Sequence, residues 1–172
     1  DEASGEFWSP LPGPCPAAAD YEMAHGFGHS RCRVVAHEIE QETTLFVPRA
    51  DPVKVVRLRL ANASSKARRL SLFSFQRLVL GTLPPEPGTI TTRRDGDVLL
   101  ATNPKSADFK DGTAFSFGIV SGAEITTKSM SCDRRGFIGA NGSLRAPRAL
   151  CESQLDGNTE SAADPCFAHQ WT

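Results

Sequence analysis

Residues 51–75 read Asp51-Pro-Val-Lys-Val-Val-Arg-Leu-Arg-Leu-Ala-Asn-Ala-Ser-Ser-Lys-Ala-Arg-Arg-Leu-Ser-Leu-Phe-Ser-Phe75 and contain two alternating runs. In the first run, apolar residues alternate with cationic ones, namely Val56, Leu58 and Leu60 with Arg57 and Arg59. Because successive side chains of a strand point to opposite faces, this run predicts one apolar and one charged face. Residues 62–66 have the composition of a turn, and the alternation resumes at Leu70. The stretch therefore predicts a β-hairpin with one buried face.

Short segments rich in β-branched and aromatic residues recur along the rest of the chain. They cover residues 21–37, 38–47, 53–61, 69–80, 89–93, 97–102, 113–120 and 123–130. Turn-forming dipeptides separate them, including Pro84-Pro85 and Asp95-Gly96. We expect a hairpin at Asp95-Gly96, between Ile90 and Val98. Many short strands at near-regular spacing predict an all-β fold, an antiparallel β-sandwich.

Little helix is expected, because no apolar pattern of period 3.6 extends beyond two turns. The best helical candidate is residues 147–152, with Pro147 in the first turn. Residues 131–146 are predicted to form an ordered loop interrupted by glycines, and a further strand is predicted to begin at Pro165. Residues 1–20, rich in Pro, Ala and Gly, predict an extended segment that precedes a single sandwich domain over 21–172.

Composition limits the partners of this chain. It carries 19 Lys and Arg against 20 Asp and Glu, so general attraction to nucleic acid or to an anionic membrane is not expected. No apolar run approaches the roughly 20 residues of a membrane helix, and direct membrane contact by this segment is not expected either. The five cysteines are odd in number and lack a C-x-x-C pair. They predict reduced, mostly buried thiols in a cytosolic domain.

Four residues have the chemistry of metal ligands: His25, His29, Cys32 and His37. On a helix, His25 and His29 would share a face, but Gly26 and Gly28 disfavour a helix. In a strand, the two histidines would lie on one side about 13 Å apart. We therefore predict a glycine-containing strand with surface histidines and no metal. The glycines would let another backbone or a sugar ring approach closely.

Carboxylates also alternate along the sequence, at Glu38, Glu40 and Glu42. Glycoside hydrolysis needs two carboxyl groups about 5–9.5 Å apart, but any two same-face neighbours on a strand meet that distance. A solvated strand face is the expected interpretation. The sequence contains no G-x-S-x-G nucleophile elbow and no phosphate-binding glycine loop. The residues alone therefore predict a non-catalytic β-domain without a cofactor.

Aromatic and histidine side chains are the candidates for contact with a sugar. The aromatic residues most able to stack on a sugar face are Trp8, Phe7, Trp171 and Tyr21, although most aromatic residues of a β-domain are core. The predicted carbohydrate-binding residues are Trp8, His25, Phe27 and His29.

Several segments together resemble one protein family. They are Gly5-Glu-Phe-Trp-Ser-Pro10, Tyr21-Glu22, His25-Gly-Phe-Gly28, Glu42-Thr-Thr-Leu-Phe-Val-Pro48, Asp51-Pro-Val-Lys54, Leu58-Arg-Leu-Ala-Asn62, Arg69-Leu-Ser-Leu72 and Gly136-Phe-Ile-Gly-Ala-Asn-Gly-Ser-Leu144. In this order they resemble the β-sandwich domain that precedes the helical barrel in glycoside hydrolase family 94, the cellobiose phosphorylase-like enzymes. Within that family, the Ser9-Pro10, His25-Gly-Phe-Gly28 and Asp164-Pro-Cys166 strings are most similar to cyclic β-1,2-glucan synthases.

The resemblance implies a galactose-mutarotase-like supersandwich in a parent enzyme that acts on β-linked glucan. In such phosphorylases, a carboxylic acid protonates the leaving sugar oxygen while inorganic phosphate attacks the anomeric carbon. The acid and the phosphate-binding residues lie on the barrel, so no catalytic residue carries over to this chain. The barrel of the same polypeptide is the implied partner. The implied location is the cytoplasmic side, with a parent anchored in the bacterial inner membrane.

Two departures from the family pattern carry expectations of their own. His29 stands where the family pattern has Tyr, which weakens the inferred sugar contact at that position. Family sandwiches also have strands before the Phe7-Trp-Ser-Pro10 element and after Asp164-Pro-Cys166, so this sandwich is expected to be incomplete. Exposed sheet edges would favour pairing with a second copy as a homodimer.

Three classes of function follow from these observations. The first is a non-catalytic sandwich of a cyclic β-1,2-glucan synthase that supports the phosphorylase-like barrel and helps to hold glucan. The second is a stand-alone carbohydrate-binding module with an aromatic platform. The third is a mutarotase-like epimerase that uses His25 or His29 as acid or base.

Overall fold

The computed structural model describes residues 1–83, 86–160 and 163–172. The turn expected at Pro84-Pro85 lies outside the described residues. The chain folds into two compact units, Asp1–Arg69 and Leu70–Thr172. Within the described ranges, the strands form three antiparallel sheets and helix is almost absent. The prediction of an all-β antiparallel fold is confirmed. The predicted domain boundaries at residues 20 and 21 stay a prediction.

The first unit is built on one four-stranded sheet. Its strands are β1 Glu22–Gly26, β2 His29–Ala36, β3 Ile39–Phe46 and β4 Val55–Asn62, in the order β1-β2-β3-β4. Alternation separates the two faces of the sheet as expected. Cys32, Val34 and Ile39 are buried on one face, whereas Arg33 and its cross-strand neighbour Glu42 lie on the other. Charged residues therefore cover the face that looks away from the core of this unit.

The hairpin predicted across residues 56–75 is wrong. β4 forms a strand as expected, but it pairs with β3, while β5 (Leu72–Arg77) pairs with β10 (Pro165–Trp171) in the second unit. The turn after β4 does form, because the Asn62 amide donates to the carbonyl oxygen of Lys66 at 2.7 Å. A period of two tells which face each side chain takes, but it does not specify which strand becomes the partner.

The second unit contains two three-stranded sheets. One has the order β5-β10-β9, with β9 at Lys128–Asp133, and the other joins β6 Thr91–Asp95, β7 Val98–Thr102 and β8 Ala114–Ser116. The hairpin expected at Asp95-Gly96 is confirmed: Asp95 pairs with Val98, and Gly96 in the two-residue loop has a φ of +56°. The strand expected from Pro165 is confirmed as β10.

Several predicted strands are shorter or divided. Residues 21–37 form two strands rather than one, residues 113–120 retain only Ala114–Ser116, and the strand expected from residue 123 begins at Lys128. The strands expected at residues 113–120 and from residue 123 are shortened for the same physical reason. A strand exists only where a neighbouring strand accepts and donates its backbone hydrogen bonds, and composition cannot supply that neighbour.

Two short helical segments occur in the described part of the second unit. The first, α1 at Arg134–Ile138, lies inside the region predicted to be a loop; the Asp133 carboxylate caps it by accepting from the Arg135 N–H at 2.9 Å. The second is a 3₁₀ turn at Arg148–Cys151, where the sequence predicted a short helix. Among the described residues, neither helix has the length or the apolar character needed to cross a membrane.

Among the described residues of the second unit, the core consists of two apolar clusters. One contains Leu78, Ile90, Leu99, Ala101, Met130, Cys132 and Phe167, and the other contains Phe137, Ile138, Ala149, Leu155, Cys166 and Ala168. All five cysteines are free, and three of them are buried. Burial raises the pKa of Cys132 to about 11 and raises that of Cys166 further, so both thiols stay protonated at neutral pH.

Gly118 packs directly against Trp171 in the second unit. A Cβ atom at this position would overlap the indole ring of Trp171. We expect Gly118→Ala to lower the free energy of unfolding by about 1–3 kcal/mol, because the ring or the strand must shift to accept the methyl group. Urea denaturation followed by circular dichroism measures this change.

Gly81→Ala is the matched control for the Gly118 substitution. The added methyl group would there meet the Ser106 hydroxyl at 3.1 Å, and that side chain can rotate away. The expected change is therefore below about 0.5 kcal/mol. Equal effects of the two substitutions would contradict the assigned packing of Trp171 on Gly118.

Candidate functional site

The predicted histidine strand is in fact a hairpin. β1 ends at Gly26 and β2 begins at His29, so Phe27 and Gly28 form a two-residue turn in which Gly28 has a φ of +77°. His25 pairs with Ser30, and Gly26 pairs with His29. The expectation that His25 and His29 share one side of a single strand about 13 Å apart is therefore wrong. Treating residues 21–37 as one continuous strand missed the turn, and the two-residue reversal shifts the alternation by one residue, so that His25 and His29 lie on opposite faces.

The two histidines have different surroundings. His25 Nδ1 lies 2.9 Å from Ser30 Oγ, on the face that these paired residues share. The ring of His29 lies on the opposite face, directly over Gly26, where a Cβ atom would overlap it. The close approach of another backbone or of a sugar ring stays a prediction, because the group that lies over Gly26 in the structure is a side chain of the same hairpin. The group that approaches is the imidazole of His29.

A groove of about 540 Å³ lies at this end of the sheet. It is lined by His25, Gly26, Gly28, His29, Ser30, Leu45, Phe46, Val47 and Lys54. Phe27, between two of the lining glycines, is fully exposed. An apolar ring beside imidazole, hydroxyl and ammonium groups offers both stacking and hydrogen bonding to a ligand. We call these residues together with Phe27 the hairpin groove.

Trp8 lies away from the hairpin groove. Its indole N–H donates to Gln41 Oε1 at 2.9 Å, and its ring stacks on His37 with centroids 4.5 Å apart. His37 follows β2 at the end opposite His29, and eight strand residues at about 3.3 Å each place these ends roughly 23 Å apart. The structure therefore brings His25, Phe27 and His29 together and leaves Trp8 outside the group.

The four residues considered as metal ligands are also separated. Cys32 is buried in the core face, His37 lies in the β2–β3 turn, and His25 and His29 point to opposite faces. Among residues 1–83, 86–160 and 163–172, no three His, Cys, Asp or Glu side chains are placed to hold one ion.

The three glutamates do not form a shared row. Glu38 lies in the β2–β3 turn with a φ of +61°, so its placement on the strand face is wrong, and only Glu40 and Glu42 occupy that face. Glu42 accepts from Arg33 Nε at 2.7 Å, and this hydrogen bond lowers the pKa of the Glu42 carboxyl. Such a carboxylate stays ionised at neutral pH, which is unsuited to a general acid.

A second pocket, which sequence reasoning missed, lies in the second unit and has a volume of about 360 Å³. It is lined by Arg134, Arg135, Ile138, Gly139, Ala140, Asn141, Gly142 and Asp164. We call it the arginine pocket. Arg134 donates to Asp164 Oδ2 at 2.6 Å, which closes one side. The available signal was the glycine-punctuated string 136–144, in which Asn141 adopts a φ of +59°.

Comparison with known proteins identifies one family and several related enzymes. The sequence model of the family described as "Glycosyl hydrolase 94, supersandwich domain" matches residues 1–172. The cyclic β-(1,2)-glucan synthase NdvB of Rhizobium meliloti (strain 1021) is 34% identical over 155 residues, 88% of this chain. The 3-O-β-D-glucopyranosyl-β-D-glucuronide phosphorylase of Paenibacillus borealis is 25% identical over 188 residues, and the N,N'-diacetylchitobiose phosphorylase of Vibrio proteolyticus is 31% identical over 78 residues.

The matching regions are small parts of these relatives. The aligned region is 5% of the glucan synthase and 23% of the glucuronide phosphorylase. For the diacetylchitobiose phosphorylase, the match covers 44% of this chain and 10% of the relative. The resemblance to this family that the sequence predicted is confirmed.

Proposed function

Because this chain belongs to the supersandwich domain family of glycosyl hydrolase 94, we propose that it is a non-catalytic domain of a larger enzyme that processes β-1,2-glucan. In this role it supports a helical-barrel catalytic domain of the same polypeptide and contacts glucan through the hairpin groove. The relatives support the first part, since the matched region is at most 23% of the three described above. The hairpin of β1 and β2 supports the proposed contact with glucan.

The observation that carries the glucan contact is the exposure of Phe27. The ring is fully exposed on a two-residue turn, and glycines on both sides leave its faces uncovered. A glucose unit presents an apolar C–H face that stacks on such a ring. His25, Ser30 and Lys54 border the groove beside it and provide hydrogen bonds to the sugar hydroxyls.

The electrostatics support a non-catalytic role. Groups with strongly shifted pKa values mark catalytic sites when they line a cleft. In this chain, the large shifts belong to Cys132, Cys166 and His169, which are all buried in the second unit. Glu42 is held as a carboxylate by Arg33 on the sheet face. These positions suit packing and charge balance rather than proton transfer to a substrate.

Titration with β-1,2-glucan tests the proposal. We expect the chain to bind with a dissociation constant in the millimolar range, about −4 kcal/mol, since one exposed ring and few polar groups take part. Phe27→Ala should weaken binding about tenfold by removing the stacking surface. Isothermal calorimetry or NMR titration measures both constants, and the exposed position of Phe27 makes unfolding of the variant unexpected.

Phe115→Ala is the matched control for this titration, because Phe115 is 45% exposed but belongs to the second unit. It should leave the dissociation constant unchanged. Absence of binding, or equal binding by the Phe27 variant, would contradict the glucan role. Micromolar binding would instead favour a stand-alone module, and anomer interconversion that His25→Ala abolishes would favour an epimerase.

A further inference from the structure

We infer that the arginine pocket is a second sugar-binding site, which takes one neutral glucose unit by hydrogen bonds alone. The site lies entirely in the second unit and shares no residue with the hairpin groove. Its volume of about 360 Å³ falls within the range of about 300–1,000 Å³ that small-molecule sites occupy.

Glycines shape this pocket. A Cβ atom at Gly142 would overlap the carbonyl oxygen of Ile138, so only glycine lets the chain return this closely over the end of α1. Gly139 has a φ of +93° and Asn141 a φ of +59°, conformations that bend residues 139–142 around the cavity. The Gly142 N–H closes the bend by donating to the carbonyl oxygen of Gly139 at 3.2 Å. The wall is therefore a fixed backbone loop that carries the Asn141 amide.

The polar groups of the pocket include both donors and acceptors. Arg134 is held to Asp164 twice, by its side chain at 2.6 Å and by its backbone N–H on the Asp164 carbonyl oxygen at 3.0 Å. Both side chains remain about one third exposed, so each keeps hydrogen-bonding capacity toward the cavity. Arg135 and Asn141 are exposed, and their side chains make no hydrogen bond or ion pair within the described part of the chain.

This set of groups favours a polyol over an anion. The lining contains two guanidinium groups and one carboxylate, so it carries a net charge of only about +1, and Asp164 opposes any phosphate that enters. A sugar hydroxyl both donates and accepts, and can therefore use Arg135, Asp164 and Asn141 together. The apolar lining is limited to Ile138 and Ala140, without an aromatic ring on which a sugar could stack. The glucose unit is therefore held by its hydroxyl edge.

NMR titration of the whole chain with a β-1,2-linked glucose oligomer tests this inference. We expect shift changes at the backbone amides of residues 139–142 and at the Arg135 side chain. These changes should be insensitive to added salt, because the ligand is neutral. Asn141→Gly removes the amide yet keeps a residue suited to positive φ, and it should weaken binding here about threefold to tenfold. Arg135→Gln should have a similar effect.

Arg145→Gln is the control, since Arg145 is exposed near the pocket but does not line it. Arg145→Gln should leave the shift changes at residues 139–142 unaltered. The inference is overturned if residues 139–142 do not respond to the oligomer, or if inorganic phosphate alone shifts them with strong salt dependence. Phe27→Ala separates the two proposals: it should weaken the response around residues 25–30 about tenfold and leave the response at 139–142 unchanged.

Discussion

Replacing Phe137 with alanine is expected to lower the free energy of unfolding of the second unit by about 3–5 kcal/mol. Phe137 is 3% exposed, stacks on Phe75 at 4.8 Å between ring centroids, and meets Phe73 edge-on at 6.4 Å. Truncation would remove these contacts and leave a cavity between α1 and β5, because the surrounding strands are fixed by their hydrogen bonds. Urea denaturation measures the decrease in the free energy of unfolding. Phe137 should also be needed for the arginine pocket, because the wall of the pocket continues from α1.

Two further variants make the Phe137 prediction specific. Phe137→Leu keeps most of the volume and should cost less than about 1.5 kcal/mol. Phe115→Ala removes a ring that is 45% exposed on β8 and should cost well under about 1 kcal/mol. If Phe137→Ala cost no more than Phe115→Ala, the assigned packing of α1 on β5 would be incorrect.

The second large effect concerns pH. His169 is 1% exposed at the centre of β10, and burial, helped by the nearby Lys128 cation, lowers the pKa of its imidazole to about 4. The unfolded chain takes up this proton near pH 6.5, well before the folded state does. The contribution of neutral His169 to the free energy of unfolding is therefore fully present above pH 6.5. It should decrease by about 3 kcal/mol as the pH falls from 6.5 to about 4.

Replacement of His169 separates its contribution to the pH dependence of stability from the contribution of the carboxyl groups. His169 Nε2 lies 3.0 Å from Ser116 Oγ, so His169→Gln keeps a hydrogen-bonding group while removing the titration. We expect the wild-type chain to lose about 1.2 kcal/mol more stability than the variant between pH 6 and 5. Parallel pH curves for His169→Gln and the wild type would contradict the buried, neutral state of His169.

The sequence predicted local strand structure better than strand pairing. Alternation around Leu58 and Leu60 correctly indicated a strand and its charged face, and Asp95-Gly96 correctly indicated a hairpin. The predicted partner of β4 was wrong, because strand pairing depends on how the chain continues beyond residue 62. No local period encodes that continuation. The resemblance to a known family was predicted from short strings spread over the chain, and their order carried information that no single string did.

The candidate sites were less predictable than the fold. Phe27 and the flanking histidines were recognised as candidates, but the two-residue turn that exposes Phe27 was not, because Phe27-Gly28 is a weaker turn signal than a dipeptide such as Asp95-Gly96. Helix α1 was missed because it is five residues long and contains Gly136. The arginine pocket joins residues 134–142 with Asp164, and the β9–β10 pairing that brings them together is a property of the tertiary fold.

One NMR sample tests the central claim, that this domain holds glucan without reacting with it. The sample contains the chain, β-1,2-glucan and inorganic phosphate, and is observed over hours. We predict that backbone amides of residues 25–30 shift as glucan is added and that no anomeric signal of a sugar 1-phosphate develops. Formation of a sugar 1-phosphate, or unchanged amides at saturating glucan, would contradict the account.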